Sequence, residues 1–98
     1  RHVFTPFELA YCLGRKHPWV HLAARFAAKE AVLKALGTGL AGTMSWRDVE
    51  VMRDPAGTPT LAFSGATREA LSLAKLRGSS VSLSHTSEQA IAVVLLFP

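Results

Sequence analysis

An alanine- and leucine-rich stretch runs unbroken from Val20 to Leu36, with Pro18 just before it and Gly37-Thr38-Gly39 just after. Alanine and leucine are the strongest helix formers, and no residue inside the stretch breaks a helix. Gly37 is placed to close it with a left-handed cap. A helix of this length inside a 98-residue chain leaves little choice. There is room for one domain, whose folding removes about two-thirds of the exposable surface, and the remaining elements must pack on this helix.

The rest of the chain changes period. Thr5-Pro6-Phe7-Glu8 is a helix start, with Thr5 as cap, Pro6 at the first helical position and Glu8 completing a capping box. That helix is expected to reach Arg15 or Lys16. Ser45 to Arg53 reads as a strand, Asp54-Pro55-Ala56-Gly57 as a turn and Thr60 to Phe63 as the returning strand of a hairpin. A short helix is expected from Ser64 or Gly65 to Leu76, closed by Gly78. Ser80 to His85 alternates Val81 and Leu83 with serines, and Thr86 to Gln89 is a tight polar link. Ala90 to Phe97, the most apolar run, is expected to be a central strand covered on both faces. The fold class is α+β, with the long helix packed on a small antiparallel sheet.

At roughly 100° per residue, Leu22, Phe26, Leu33 and Leu36 share one side of the long helix and form its expected buried stripe. Lys29 falls inside that stripe, where a charge is costly unless it is paired or reaches water. Glu30 lies at the stripe's edge with Lys34 one turn further on. Glu30 and Lys34 fit an exposed ion pair. With Lys29 they also fit a phosphate or metal–phosphate site, in which carboxylate holds a cation and lysines neutralise phosphate oxygens.

Hydrophobic residues make up 49% of the chain and charged residues 18%, too apolar for disorder. The eight-residue run at the end is far shorter than the roughly 20 residues of a membrane span. The lone cysteine, Cys12, points to a reducing, cytoplasmic setting. The net charge of +4 sits entirely in residues 1–36, which hold six basic and two acidic side chains; an anionic partner on that side is one reading and a solvated surface the other. Nucleic acid is disfavoured as that partner, since Phe26 and Trp46 read as core aromatics rather than a stacking platform. No zinc-binding histidine spacing occurs. His2, His17 and His21 read as surface or capping residues, whereas His85 ends a strand before a polar link, where reactive groups are often presented.

Arg25-Phe26-Ala27-Ala28-Lys29-Glu30-Ala31, followed by Lys34-Ala35-Leu36-Gly37-Thr38-Gly39, resembles the signature of the holo-acyl-carrier-protein synthases, the short members of the 4′-phosphopantetheinyl transferase superfamily. Phe4-Thr5 and Glu8-Leu9, Leu22-Ala23-Ala24, Trp46 to Val51, Gly57 with Pro59, Val81 to His85, and Ala90 with Ala92 extend the likeness along the chain in order. The resemblance implies transfer of 4′-phosphopantetheine from coenzyme A to a serine of acyl carrier protein, with release of adenosine 3′,5′-bisphosphate. It implies a homotrimer with sites between subunits, and neither nucleic acid nor a membrane as partner. Carried over by motif position, Glu30 resembles the Mg2+-ligand glutamate and Lys34 the lysine on the diphosphate. Lys29 lies in the same catalytic motif. His85 resembles the histidine beside coenzyme A, and Gly57 and Pro59 fall in the loop near its adenine. The family pattern opens with a strand carrying a G-x-D aspartate and with a basic docking helix. This chain enters after both, so it is expected to be a single domain, residues 1–98, truncated at its N-terminus. A non-catalytic module that binds coenzyme A or the carrier protein is the alternative.

Overall fold

The computed structural model describes residues 3–37 and 44–98; His2, Thr38 and Gly39 lie outside them. The order of elements is α1 (Pro6–Leu13), α2 (Pro18–Leu36), a 3-10 turn (Trp46–Asp48), β1 (Val49–Arg53), β2 (Pro59–Phe63), α3 (Gly65–Leu73), β3 (Gly78–His85) and β4 (Ala90–Phe97). The class is α+β, as expected.

Local chemistry explains most boundaries. Thr5 and Glu8 form the reciprocal capping box that opens α1, and Gly14 ends it. Pro18 is the first residue of α2 rather than an interruption before it, because the first helical N–H has no intrahelical acceptor to lose. Gly37 closes α2 at φ 76°, donating its N–H to Lys34 O. Asp54 Oδ1 accepts the N–H groups of Ala56 and Thr58 and shapes the β1–β2 turn, with Gly57 at φ 88°. The helix α3 stops short of Leu76 because the chain turns left-handed at Lys75, φ 60°.

Three expectations are corrected. The segment Ser45–Asp48 is not strand: Ser45 and Asp48 cap each other around a 3-10 turn, and the strand starts at Val49. Asp48 Oδ2 also accepts from the N–H and hydroxyl of Thr67, tying this turn to α3.

Second, the four strands form two antiparallel pairs instead of one sheet, β1 with β2 (Val49 opposite Phe63) and β3 with β4 (Val81 opposite Val94). The apolar β4 is covered on one face only. Ile91, Val93, Leu95 and Phe97 all point the other way and are between 46% and 60% exposed.

Third, the buried side of α2 is turned roughly 70° from the leucine stripe. Ala24, Ala28, Val32 and Leu33 are buried together with Arg25 and Lys29, whereas Leu22, Phe26 and Leu36 are only half-buried. Small alanines let the helix axis approach the strands, and Ala28 joins Val51 and Val81 at the centre of the core with Leu61, Leu83, Ala92 and Val94 around it.

Candidate active site

The helix α2 carries charged groups on two opposite sides, and a buried ion pair sets its position. Lys29 Nζ lies 2.9 Å from Glu8 Oε1, with both side chains fully buried. The same ammonium donates to Trp46 O (3.1 Å) and to Val49 O. An ammonium has three protons to donate, so all three are engaged. Glu8 is equally committed: Oε1 accepts from the Thr5 N–H and Oε2 from the Val51 N–H at 2.7 Å. One pair therefore joins α1, α2 and β1. Burial pushes the Lys29 ammonium below its ordinary range, and the bond to Glu8 opposes that push. The anomalous lysine of the helical stripe is thus paired. Its role in the structure is to position α2, since no proton of its ammonium is left for a phosphate.

The next residue faces the other way. Glu30 and Lys34 are exposed, one turn apart on the outer side of α2. Among the described residues, no ion pair within 4 Å joins them. A carboxylate and an ammonium thus stand side by side in water, both available to a ligand. Among the described residues, no three His, Cys, Asp or Glu side chains cluster to hold a metal. The chain's contribution here is the single carboxylate of Glu30. That fits magnesium, which commonly takes one or two protein carboxylates and fills its octahedron with water and substrate phosphate oxygens.

His85 lies elsewhere. Its ring packs edge-on against His21, centroids 5.1 Å apart, and His21 in turn meets the edge of Tyr11 at 6.2 Å. His21 and Glu30 are nine positions apart on α2, which is half a circumference and about 13 Å along the axis. Within one chain, His85 and the Glu30–Lys34 face therefore lie on opposite sides of the helix. Beside His85 opens a cleft of about 550 Å³, lined by Arg15, Lys16, His17, His21 and Thr86 among others and by no carboxylate. Arg15 and Arg25 place their guanidinium groups over the Tyr11 ring at 4.2 and 4.6 Å, with Arg53 at 5.1 Å. Burial, then the nearby His85, Arg25 and Arg15, hold the His21 imidazole below its ordinary pKa. Gly57 and Pro59 sit apart again, at the tip of the β1–β2 hairpin, where the Arg53 guanidinium donates to Gly57 O.

Sequence reasoning missed Glu8 and His21 as site-forming residues. Glu8 was visible only as a cap, although a lysine in an apolar stripe calls for a buried acid. His21 carried no partner pattern, because its partner comes from a strand far along the chain.

A family model described as the 4′-phosphopantetheinyl transferase superfamily matches residues 1–94. The holo-[acyl-carrier-protein] synthase of Geotalea daltonii is 49% identical over 94 residues, covering 96% of this chain and 75% of that one. This chain belongs to the holo-[acyl-carrier-protein] synthases. The Koribacter versatilis synthase is 43% identical over the same shares of the two chains. Among solved structures, the holo-[acyl-carrier-protein] synthase of Neisseria meningitidis superposes with a TM-score of 0.86 at 33% identity, covering 99% of this chain and 78% of that chain. The Helicobacter pylori synthase, solved in complex with coenzyme A, gives 0.81 at 29% identity, over 97% and 77% of the two chains. The chain is thus a phosphopantetheinyl transferase by family. No helix among the described residues is long and apolar enough to cross a membrane.

Proposed function

We propose that this protein transfers 4′-phosphopantetheine from coenzyme A to a serine of acyl carrier protein, in a Mg2+-dependent reaction that releases adenosine 3′,5′-bisphosphate. The observation that carries the reading is the exposed pair Glu30 and Lys34, one turn apart on a helix locked in place by Lys29 and Glu8. Phosphoryl transfer depends on positioning and charge neutralisation more than on covalent chemistry. Lys34 neutralises an oxygen of the coenzyme A diphosphate. Glu30 would hold magnesium, and the ion would supply charge withdrawal from phosphate oxygens. The serine oxygen attacks phosphorus as the bond to the departing adenosine 3′,5′-bisphosphate breaks, and the serine proton passes to a water or to Glu30. His85 and its basic cleft hold another part of coenzyme A, and Gly57 with Pro59 approach the adenine.

The same reading makes the active protein a homotrimer with its sites between copies. Two observations support this. Glu30 and His85 lie on opposite sides of α2, so one copy cannot bring both to one coenzyme A. Ile91, Val93, Leu95 and Phe97 form an apolar stripe along β4, the kind of surface that a second copy covers. We take the cytoplasm as its setting, in keeping with the free, buried thiol of Cys12.

The test is the intact mass of acyl carrier protein after incubation with this chain, coenzyme A and magnesium. A gain of one phosphopantetheine group, lost on chelation and in Glu30→Gln, is expected. Lys34→Ala should raise the coenzyme A requirement. An unchanged carrier mass, with coenzyme A still retained by the chain, would refute turnover and make the protein a binding module.

A further inference from the structure

Three arginines from three segments converge on one ring. Tyr11, the chain's one tyrosine, is half-buried on α1. The guanidinium carbons of Arg15 from the α1–α2 turn, Arg25 from α2 and Arg53 from β1 lie 4.2, 4.6 and 5.1 Å from its ring centroid. All three are inside the roughly 6 Å over which an aromatic face attracts a cation. Among the described residues the one ion pair within 4 Å is Lys29–Glu8, so no carboxylate holds these arginines. Arg25 is 2% exposed, and the Nε atoms of Arg25 and Arg53 are buried with no acceptor among the described residues. Cations held this close repel one another, and the electron-rich ring face opposes that repulsion.

We propose that Tyr11 is a positioning residue for the ligand of the cleft beside His85, its ring holding Arg15 and Arg25 in place without neutralising them. The inference rests on the proposed reading of that ligand as coenzyme A, and it gives a role to a residue that the reading leaves idle. Arg15 and His21 line the cleft, whereas Tyr11 does not. Tyr11 acts through them: Arg15 lies over its face, and His21 meets its edge at 6.2 Å. Arg25 joins the same unit, because its Nη1 donates to His21 O at 3.2 Å.

A ring and a carboxylate would hold these arginines with different consequences. An arginine side chain is long, and fixing it costs conformational entropy. A carboxylate would fix Arg15 by accepting its N–H groups and cancelling its charge, the two properties that an anionic ligand needs. A neutral ring attracts the cation through its quadrupole and leaves the charge in place. The cluster is then ordered in advance and still positive, so less ordering is left to the moment of binding. The attraction belongs to the ring face and not to the phenol hydroxyl, and an aliphatic side chain lacks it.

Calorimetric titration with coenzyme A tests this in four forms of the full chain: the parent, Tyr11→Phe, Tyr11→Leu, and the parent grown with 3-fluorotyrosine in place of tyrosine. With one tyrosine in the chain, the analogue enters at position 11 alone. Fluorine leaves the size of the ring nearly unchanged and draws electron density off its face. At about pH 6.5 the phenol stays protonated in both forms. Tyr11→Phe keeps the face and should bind coenzyme A within about twofold of the parent. Tyr11→Leu should bind about three- to tenfold more weakly, with the fluorinated chain between it and the parent. Affinity in that order follows the charge of the face, which a packing role would not do. If Tyr11→Leu does not fold, the phenylalanine and fluorinated chains decide: parent-like binding by the first and weaker binding by the second uphold the inference. Tyr11→Phe as weak as Tyr11→Leu would move the effect to the hydroxyl and overturn it. Coenzyme A bound equally by all forms would overturn it and leave the transferase reading standing. A parent that binds no coenzyme A would overturn both. The predicted order of affinities with an unmodified carrier protein would uphold the role of Tyr11 and overturn turnover alone.

Discussion

Replacing Lys29 by methionine keeps most of the side chain's length and removes its charge. In the structure this strands Glu8, a fully buried carboxylate whose only cationic partner within 4 Å among the described residues is Lys29. It also leaves the carbonyls of Trp46 and Val49 without their donor. Breaking a buried pair from one side costs about 3–5 kcal/mol, because the remaining charge stays buried and uncompensated. A domain of this size has only about 5–15 kcal/mol of stability in total, so the variant is expected to lose about a fifth of it or more. With an m-value near the middle of the usual range, the urea midpoint should fall by on the order of 2 M. The double variant Lys29→Met with Glu8→Gln removes the orphaned charge and keeps one oxygen able to accept from either the Thr5 or the Val51 N–H, the amide nitrogen meeting the other. It should recover much of the loss. Urea unfolding of parent, single and double variants, followed by far-UV circular dichroism, measures all three values. A single variant within about 1 kcal/mol of the parent, or a double variant no better than the single, would refute the claim that this pair locks α2 onto α1 and β1.

Other outcomes follow from the same structure. Cys12 is fully buried, and its thiol is pushed above the ordinary value mainly by burial; a disulfide reagent should label it slowly in the native state and fast in denaturant, and equal rates would contradict its burial. The lowered pKa of His21 means that the unfolded chain takes up that proton first. Its contribution to stability is present above about 6.5 and is lost as pH falls through the lower folded value. His21→Phe should flatten thermal stability across that acid limb, which an unchanged profile would contradict. Val93→Glu with Leu95→Lys places charges on the exposed face of β4; sedimentation should read a smaller assembly than the parent with circular dichroism unchanged, and an unaltered mass would remove β4 as the interface.

The fold was legible in the sequence where punctuation marks it. Pro6, Pro18, Gly37, the Asp54–Gly57 turn and the Ser80–His85 alternation place α1, α2, the first hairpin and β3 within a few residues. Reading failed where packing, not period, decides. Large side chains drew the expected stripe to Leu22 and Phe26, but the close approach is made by Ala24 and Ala28. An apolar run such as Ala90–Phe97 states that a surface avoids water, not whether its own chain or another copy covers it. Of the candidate site, Glu30 and Lys34 were readable because they share one helix face. The partner of Lys29 and the neighbour of His85 were not, since each contact joins segments far apart in sequence.

The central claim is that one site takes Glu30 and Lys34 from one copy and His85 from another. Chains carrying Glu30→Gln and chains carrying His85→Gln, each poorly active alone, can be co-refolded in equal amounts and assayed for carrier-protein modification. If sites form between copies, random mixing leaves about a quarter of them with both native residues, and activity should rise to about that fraction of the parent. Activity no higher than the average of the two separate variants would mean that each copy builds its site alone, and would contradict the account.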